Sequence, residues 1–279
     1  VRRRELVAEA TRRLREAGVA SPEYDATALL AHVLGTSRAQ LALVDEVAPE
    51  SVAAFDALVS RRGTREPLQH LTGTAFFRHV ELAVGPGVFV PRPETELLAG
   101  WAIEACAGIG APVVVDLCTG SGAIAKAVAD EVPGADVHAV ELSPEAFAWA
   151  ERNLAGTGVD LRLGDAFAAF DDLVGGADIV VCNPPYIPLE AWESVAAEAR
   201  DHDPHLALFS GQDGLDAIRM LDRRAAQLLR PGGVVGFEHA DEQGEAAPAV
   251  LSAGGRWSDV RDHRDLAGRP RFTTARLAR

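Results

Sequence analysis

The chain has 279 residues, 48% of them hydrophobic, a formal net charge of -14 and three cysteines. That length carries a sizeable core in one or two domains, and no apolar run is long enough to span a bilayer. Residues 1–70 hold ten Arg and ten Asp or Glu, so the acidic excess lies wholly beyond them; an acidic body argues against non-specific nucleic-acid binding, which depends on Lys and Arg neutralising phosphates. Cys106, Cys118 and Cys182 form no CxxC pair and no metal-ligand spacing, which fits reduced thiols. Val1-Arg2-Arg3-Arg4-Glu5 lacks the apolar core of a signal peptide, and the expectation is a cytoplasmic protein. Every basic residue except Lys126 is Arg, which reads as coding bias as much as function.

Residues 1–63 are helical in pattern. Leu6, Val7, Ala10 and Leu14 recur at helical spacing until Gly18. Ser21-Pro22 restarts a helix as N-cap and first helical residue, with Ala26, Leu29, Leu30 and Val33 on one face and Gly35 at its end. Ser37 opens a short helix through Leu43, and Pro49 to Arg62 carries Val52, Phe55, Leu58 and Val59 on one face. Composition leaves open whether this bundle docks a partner or acts as a lid.

Between residues 66 and 92, Leu68, Leu71, Phe76, Phe77, Val80, Leu82, Val84, Val88 and Val90 are set among glycines, which predicts a β-hairpin. Phe89-Val90-Pro91-Arg92-Pro93-Glu94-Thr95-Glu96 follows as an extended connector, and a helix starts at Thr95.

Residues 111–141 read as strand, Gly-rich turn, helix and strand. Val113–Asp116 is a buried strand, Cys118-Thr119-Gly120-Ser121-Gly122 the turn, Ala123–Val132 a small-residue helix and Val137–Glu141 the next strand. Gly120 and Gly122 let backbone approach a ligand, and Glu141 stands where an acid accepts from ribose hydroxyls. A dinucleotide fingerprint would need glycine at Cys118 and at Ile124 or Ala125, so a ligand without pyrophosphate fits better than NAD. The Asp116-x-Cys-x-Gly-x-Gly form is similar to the S-adenosylmethionine turn of class I methyltransferases; on its own such a turn is also found without a ligand.

The alternation continues with a helix over 144–154, a strand over 159–163, the exit loop Gly164-Asp165-Ala166-Phe167 and a strand over 177–182. Leu189 to Ala199 reads as a helix. Residues 201–214 read as a long loop too polar to be core, a candidate lid whose His and Asp lack helical metal-ligand spacing. Leu215–Leu229, Gly232–Glu238 and Glu242–Ala253 read as helix, strand and helix, and Trp257–Val260 with Phe272–Leu277 as a final hairpin. Repeated βα units imply a mostly parallel sheet with helices on both faces and an antiparallel edge. No Ser-His-Asp order, P-loop lysine motif or CxxC zinc ribbon is present.

Asn183-Pro184-Pro185-Tyr186 ends the 177–182 strand, because neither proline donates a ladder hydrogen bond. Taken alone it reads equally as a strand-ending turn or as a site. Beside a methyl donor, two fixed acceptors, Asn183 Oδ1 and the Pro184 carbonyl, can take both N–H groups of a planar –NH2. They orient its nitrogen and stabilise the charge that develops on it. Tyr186 and Phe89 would wall the planar group.

The ordered set Phe89–Glu96, Asp116–Gly122, Asn183-Pro184-Pro185-Tyr186-Ile187-Pro188 and Phe237-Glu238-His239, behind a small helical N-terminal part, resembles the HemK-type protein-(glutamine-N5) methyltransferases over nearly the whole chain. The resemblance implies a class I, Rossmann-like α/β methyltransferase sheet over residues 94–279. It further implies a β-hairpin connector over 66–93 and a helical bundle over 1–65 that docks the substrate. It implies S-adenosylmethionine as cofactor, S-adenosylhomocysteine as product and no metal. Cys118, Thr119, Gly120, Ser121 and Gly122 would hold the methionine part, Glu141 the ribose, and Asp165 with Ala166 and Phe167 the adenine; Asn183 borders cofactor and substrate. Asn183 and Pro184 would be catalytic and, with Pro185, Tyr186 and Phe89, would bind the glutamine of the Gly-Gly-Gln loop of class 1 peptide chain release factors. Cys118 stands where many relatives have Gly, and Ala166 where some have Trp, with Phe167 as the alternative stacking surface. The expected partner is a release factor and the protein a monomer, with no direct nucleic acid and no membrane. Two other readings stand beside this one: a DNA or RNA amino-methyltransferase acting on adenine N6, and a cofactor-binding interaction protein of translation without turnover.

Overall fold

The computed structural model of the chain describes residues 1–278. In chain order the elements are α1 (Arg3–Glu16), α2 (Pro22–Val33), α3 (Arg38–Leu41), α4 (Pro49–Gly63), α5 (Leu68–Thr72), β1 (Thr74–Phe77), β2 (Val80–Ala83), α6 (Thr95–Ala105), β3 (Val113–Leu117), α7 (Ala123–Glu131), β4 (Asp136–Glu141), α8 (Pro144–Leu154), β5 (Asp160–Leu163), β6 (Ala177–Cys182), α9 (Ala197–His202), α10 (Asp216–Leu228), β7 (Leu229–Glu238), α11 (Ala246–Ala253), β8 (Trp257–Arg264) and β9 (Pro270–Leu277). Among these described residues no helix is long and apolar enough to cross a membrane.

The chain forms two compact units. The first comprises Val1–Thr74, Val84–Pro86 and Ala196–His202. Its core is Leu14, Leu29, Leu30, Leu41, Phe55 and Val59, all buried. Ser37 caps α3 in a reciprocal capping box with Gln40. Ser21, expected to cap α2, makes no side-chain cap bond, and Pro22 alone opens that helix. Asp25 and Arg62 are both buried and pair at 2.7 Å. Arg62 also reaches Glu198 of α9 at 3.1 Å, and Arg65 grips the same carboxylate at 2.7 and 2.6 Å. Burial works to raise the Glu198 pKa, but Arg65 and Arg62 outweigh it and bring it down to about 2.

The second unit is built on a seven-stranded sheet in the order β5-β4-β3-β6-β7-β9-β8. The strands from β5 to β7 pair in parallel, and β9 is antiparallel to both β7 and β8. This is the mixed α/β sheet that the alternation of apolar strands and helices predicts. Its core gathers Leu117, Val140, Val180, Cys182, Ile218, Leu221, Val235 and Phe237. β1 and β2 form a separate two-stranded sheet. Arg78 between them pairs with Glu131 of α7 at 2.6 Å, while Asn153 of α8 bonds both the N–H and the carbonyl of Ala83.

Several expected elements differ; the helix expected from Glu242 begins only at Ala246, after a 3-10 turn over Asp241–Gln243. Leu68 and Leu71 lie on α5, whose turn closes on Gly73 in the left-handed region, so the hairpin starts later. Leu189 to Ala199 is not one helix: a 3-10 turn over Leu189–Ser194 precedes α9. The loop beyond α9 is not a solvated lid. Asp203 is buried and ion-paired with Arg92 at 2.8 Å, and Ile187 exchanges backbone bonds with Leu208 and Ser210 at 2.8 and 2.9 Å. A polar segment enters the interior when each polar group finds a partner there.

Candidate active site

The parallel strands end together. Leu117 of β3 pairs with Cys182 of β6, and Cys182 pairs with Phe237 of β7. The next residues along this edge are Cys118, Asn183 and Glu238. The chain crosses outward from β3 toward β4 and β5 on one side and from β6 toward β7 on the other. The crevice at such a switch point is where open α/β sheets bind ligands.

On the β3 side the turn is tightly wound. Cys118, Gly120 and Gly122 have φ of 61°, 58° and 84°. Glycine takes this region freely; Cys118 does so at a cost of about 1–2 kcal/mol. The turn is anchored from within. Thr119 Oγ1 donates to Asp116 Oδ2 at 2.6 Å, the Ala125 N–H reaches the same oxygen at 3.2 Å, and Ser121 is buried with its carbonyl accepting from Asn153. Burial pushes the Asp116 carboxyl up to about 7, against the bonds from Thr119 and Ala125. The side chains of Thr119 and Ser121 thus face the protein, and the ligand-facing surface of the turn is backbone. Glu141, at the end of β4, accepts from the Gly120 and Ser143 N–H groups, each at 2.8 Å, and burial raises its pKa against those bonds.

On the β6 side, Pro184 is buried and Asn183, Pro185 and Tyr186 are half-buried. Asn183 Nδ2 donates to Thr95 Oγ1 at 3.4 Å, and Thr95 Oγ1 donates to Glu238 Oε2 at 2.6 Å. The Tyr186 hydroxyl donates to Glu238 Oε1 at 3.2 Å. Thr95 and Glu238 are buried. Burial raises the pKa of Glu238, opposed by Thr95, Arg271 and Tyr186, and burial beside Glu238 pushes the Tyr186 phenol well up. Gln243 Nε2 donates to the Tyr186 carbonyl at 3.0 Å. Among the described residues no donor reaches Asn183 Oδ1 or the Pro184 carbonyl. The Cys182 thiol is buried and its pKa is raised, by burial first and by the neighbouring Cys118 thiol second.

The remaining candidates lie after β5 and in the connector before α6. Asp165 is exposed after β5 and its Oδ1 accepts from the Phe167 N–H at 2.9 Å. Ala166 is buried in the core, and Phe167 packs half-buried against it, so of the two Phe167 carries the accessible ring. Phe89 lies under the Arg92 guanidinium, 4.8 Å from its ring centroid, which ties it to the Arg92–Asp203 pair. No group of His, Cys, Asp and Glu among the described residues could hold a metal ion.

Two family models match the chain. Residues 5–73 match a family model described as PrmC N-terminal domain, and residues 114–202 one described as Methyltransferase domain. The chain is 59% identical to the release factor glutamine methyltransferase of Streptomyces coelicolor, across 98% of this chain and 97% of that protein. The chain belongs to the release factor glutamine methyltransferase family. A second member, from Mycolicibacterium smegmatis, is 48% identical across 100% of this chain and 99% of its own length. Among solved structures, the hMettl16 catalytic domain, in complex with an RNA hairpin of the MAT2A 3'UTR, matches with a TM-score of 0.55 over 71% of this chain and 75% of that one. At 16% identity that likeness is one of fold.

For a member of this family, several residues at the site have partners that a sequence read alone does not show. Thr95 reads as a helix start, and only the structure brings it to Asn183 and Glu238. Gln243 and Arg92 likewise find their partners at long range. The clues in sequence were the Phe89–Glu96 stretch, which holds Arg92 and Thr95, and Phe237-Glu238-His239, both parts of the family resemblance.

Proposed function

We propose that the chain transfers the methyl group of S-adenosylmethionine to the side-chain amide nitrogen of the glutamine in the Gly-Gly-Gln motif of class 1 peptide chain release factors. The observation that carries this reading is the pair of uncommitted acceptors, Asn183 Oδ1 and the Pro184 carbonyl, next to a Gly-rich turn on the switch-point edge. The turn fits a cofactor: space where a side chain at Gly120 would stand is open, and Asp116 Oδ1 is buried without a hydrogen-bond partner. Backbone from Cys118 to Gly122 would hold the methionine part, Glu141 the ribose, and Asp165 with Phe167 the adenine. When bound, the cofactor supplies an electrophilic methyl on a sulfonium.

The residues of the chain do the rest by positioning. An amide nitrogen is a poor nucleophile because its lone pair is delocalised. Asn183 Oδ1 and the Pro184 carbonyl accept both of its N–H groups, fix its face and stabilise the positive charge that grows on it. Tyr186 and Phe89 bound the planar group. Glu238 does not serve as the base: both of its oxygens are taken by the Thr95 and Tyr186 hydroxyls. A strong base is not needed, because the N-methylated amide cation is a strong acid. The helical unit, balanced in charge where the rest is acidic, docks the release factor, and the enzyme acts as a monomer.

The test is methyl transfer from labelled cofactor to purified release factors, with mass mapping of the modified residue. The expected result is one methyl on the Gly-Gly-Gln glutamine and a loss of about 100-fold or more in kcat for Asn183→Ala. Methylation of DNA or RNA instead, or full transfer by Asn183→Ala, overturns the reading.

A further inference from the structure

A side-chain amide is nearly symmetric in shape, so its partners decide which end faces a ligand. If Asn183 grips the substrate amide, the direction of its own amide decides whether the grip works: Oδ1 toward the substrate accepts an N–H, whereas Nδ2 there would oppose one donor with another. Asn183 has one protein partner on its side chain among the described residues, the Thr95 hydroxyl at 3.4 Å. A hydroxyl has a single proton. That of Thr95 is committed to Glu238 Oε2 at 2.6 Å, a short bond to a carboxylate. Toward Asn183 the Thr95 oxygen can therefore only accept. The other Glu238 oxygen takes the Tyr186 hydroxyl proton, so both ends of the carboxylate are acceptors and the order cannot reverse without a change in Glu238.

We infer that Thr95 and Glu238 are positioning residues that set the direction of the Asn183 side-chain amide, holding Nδ2 inward and leaving Oδ1 for the substrate. The inference rests on Asn183 being the amide-gripping residue. It gives the Phe237-Glu238-His239 motif and the threonine of Pro-Arg-Pro-Glu-Thr-Glu one shared role, although neither residue touches the reacting atoms. In Glu238→Gln, the new amide can donate to Thr95. Where that end of the amide faces Thr95, the Thr95 proton turns to Asn183 and the Asn183 amide flips to match it; with Oε1 there the original order is kept.

The experiment compares Thr95→Ser, Thr95→Val and Glu238→Gln in the full chain. It measures kcat and KM with a release factor substrate, cofactor affinity by calorimetry, and the melting midpoint. Thr95→Ser keeps the hydroxyl and is expected to stay within about 3-fold of the wild type. Assayed well below the melting midpoints, Thr95→Val is expected to lose about 100-fold in kcat, the scale of a misplaced reacting group, with cofactor affinity unchanged; its melting midpoint falls, because the buried Glu238 Oε2 loses its donor. Glu238→Gln is expected to lose less in kcat, because its amide can face Thr95 with either end. Should Glu238→Gln fail to fold, Thr95→Val, which buries no new polar group, decides alone. Wild-type kcat in Thr95→Val overturns the inference. So does a loss of activity that Thr95→Ser shares, or one that tracks a loss of cofactor binding or unfolding at the assay temperature. Asn183→Ala run alongside separates the two levels: if it is fully active, the reading of the site itself falls, and if it is inactive while Thr95→Val is active, only the positioning role falls.

Discussion

Gly214→Ala should damage catalysis from outside the reaction motif. Gly214 has φ +74°, and a Cβ built there stands 2.3 Å from the Tyr186 carbonyl oxygen, 2.7 Å from Gln243 Nε2 and 3.1 Å from Pro188 Cδ. A carbonyl and a proline ring cannot swing aside. Gln243 could, but it would give up its bond to Tyr186. About 1 Å must open between residue 214 and the backbone of the Asn183–Tyr186 segment. The left-handed backbone costs a side chain about 1–2 kcal/mol, and forcing the contact adds about 1–3 kcal/mol. The sum, about 2–5 kcal/mol, lowers the melting midpoint by about 4–20 °C for a unit of this size. With this segment gripping the substrate as proposed, a shift of about 1 Å there lowers kcat about 100-fold. Gly108→Ala is the control, because its φ is +80° with open space around it, so it bears the backbone cost alone and should keep wild-type kcat. Scanning calorimetry and methyl-transfer kinetics on both variants decide the matter. If Gly214→Ala melts with Gly108→Ala and turns over like the wild type, the contact argument is wrong.

Asp116→Asn should alter how stability depends on pH. Burial pushes the folded carboxyl up to about 7, far above its ordinary value of 3.8, so between these values the folded chain holds a proton that the unfolded chain releases. Stability from this group is therefore full below about pH 4 and falls as pH rises to about 7, by at most about 1.4 kcal/mol per unit. The variant should lose this slope in urea titrations from pH 5 to 8; a wild type and variant running parallel would refute it. Arg62→Ala should destabilise the helical unit by about 3–5 kcal/mol, because it leaves Asp25 buried without its cation, and a loss under about 1 kcal/mol in denaturant unfolding would contradict that. Glu198, held down to about 2 by the arginines against the effect of its burial, contributes stability that is present above about pH 4.5 and lost as pH falls toward 2. Glu198→Gln should blunt the acid limb of unfolding, and an unchanged limb would refute this.

The sheet was legible because its strands are short apolar runs broken by glycine or proline, and because small-residue helices alternate with them. The segment Ala177–Cys182 is buried throughout and stops where two prolines stop it. Local misreadings came where two periodicities coincide: Leu68 and Leu71, three apart, suit a helical turn as well as an irregular strand. The site divided along the same line. Of the proposed site, Asn183 and the glycines of the 118–122 turn stand out because their chemistry is carried by neighbours in sequence. The Thr95–Glu238 bond spans 143 positions and the Arg92–Asp203 pair 111, and no local pattern encodes such pairs. For the same reason residues 201–214 looked like free loop: their polarity is visible in sequence, but their partners are not.

The short segment Ala196–His202 has a consequence for any attempt to recombine these enzymes. It follows the reaction motif in the chain, yet it belongs to the helical unit, where Arg62 and Arg65 hold Glu198. A swap that exchanged only residues 1–74 would leave this segment paired with a foreign set of helices. Transplanting the helical unit between relatives therefore calls for two pieces of sequence moved together, and a chimera with a single crossover carries a mismatched clasp.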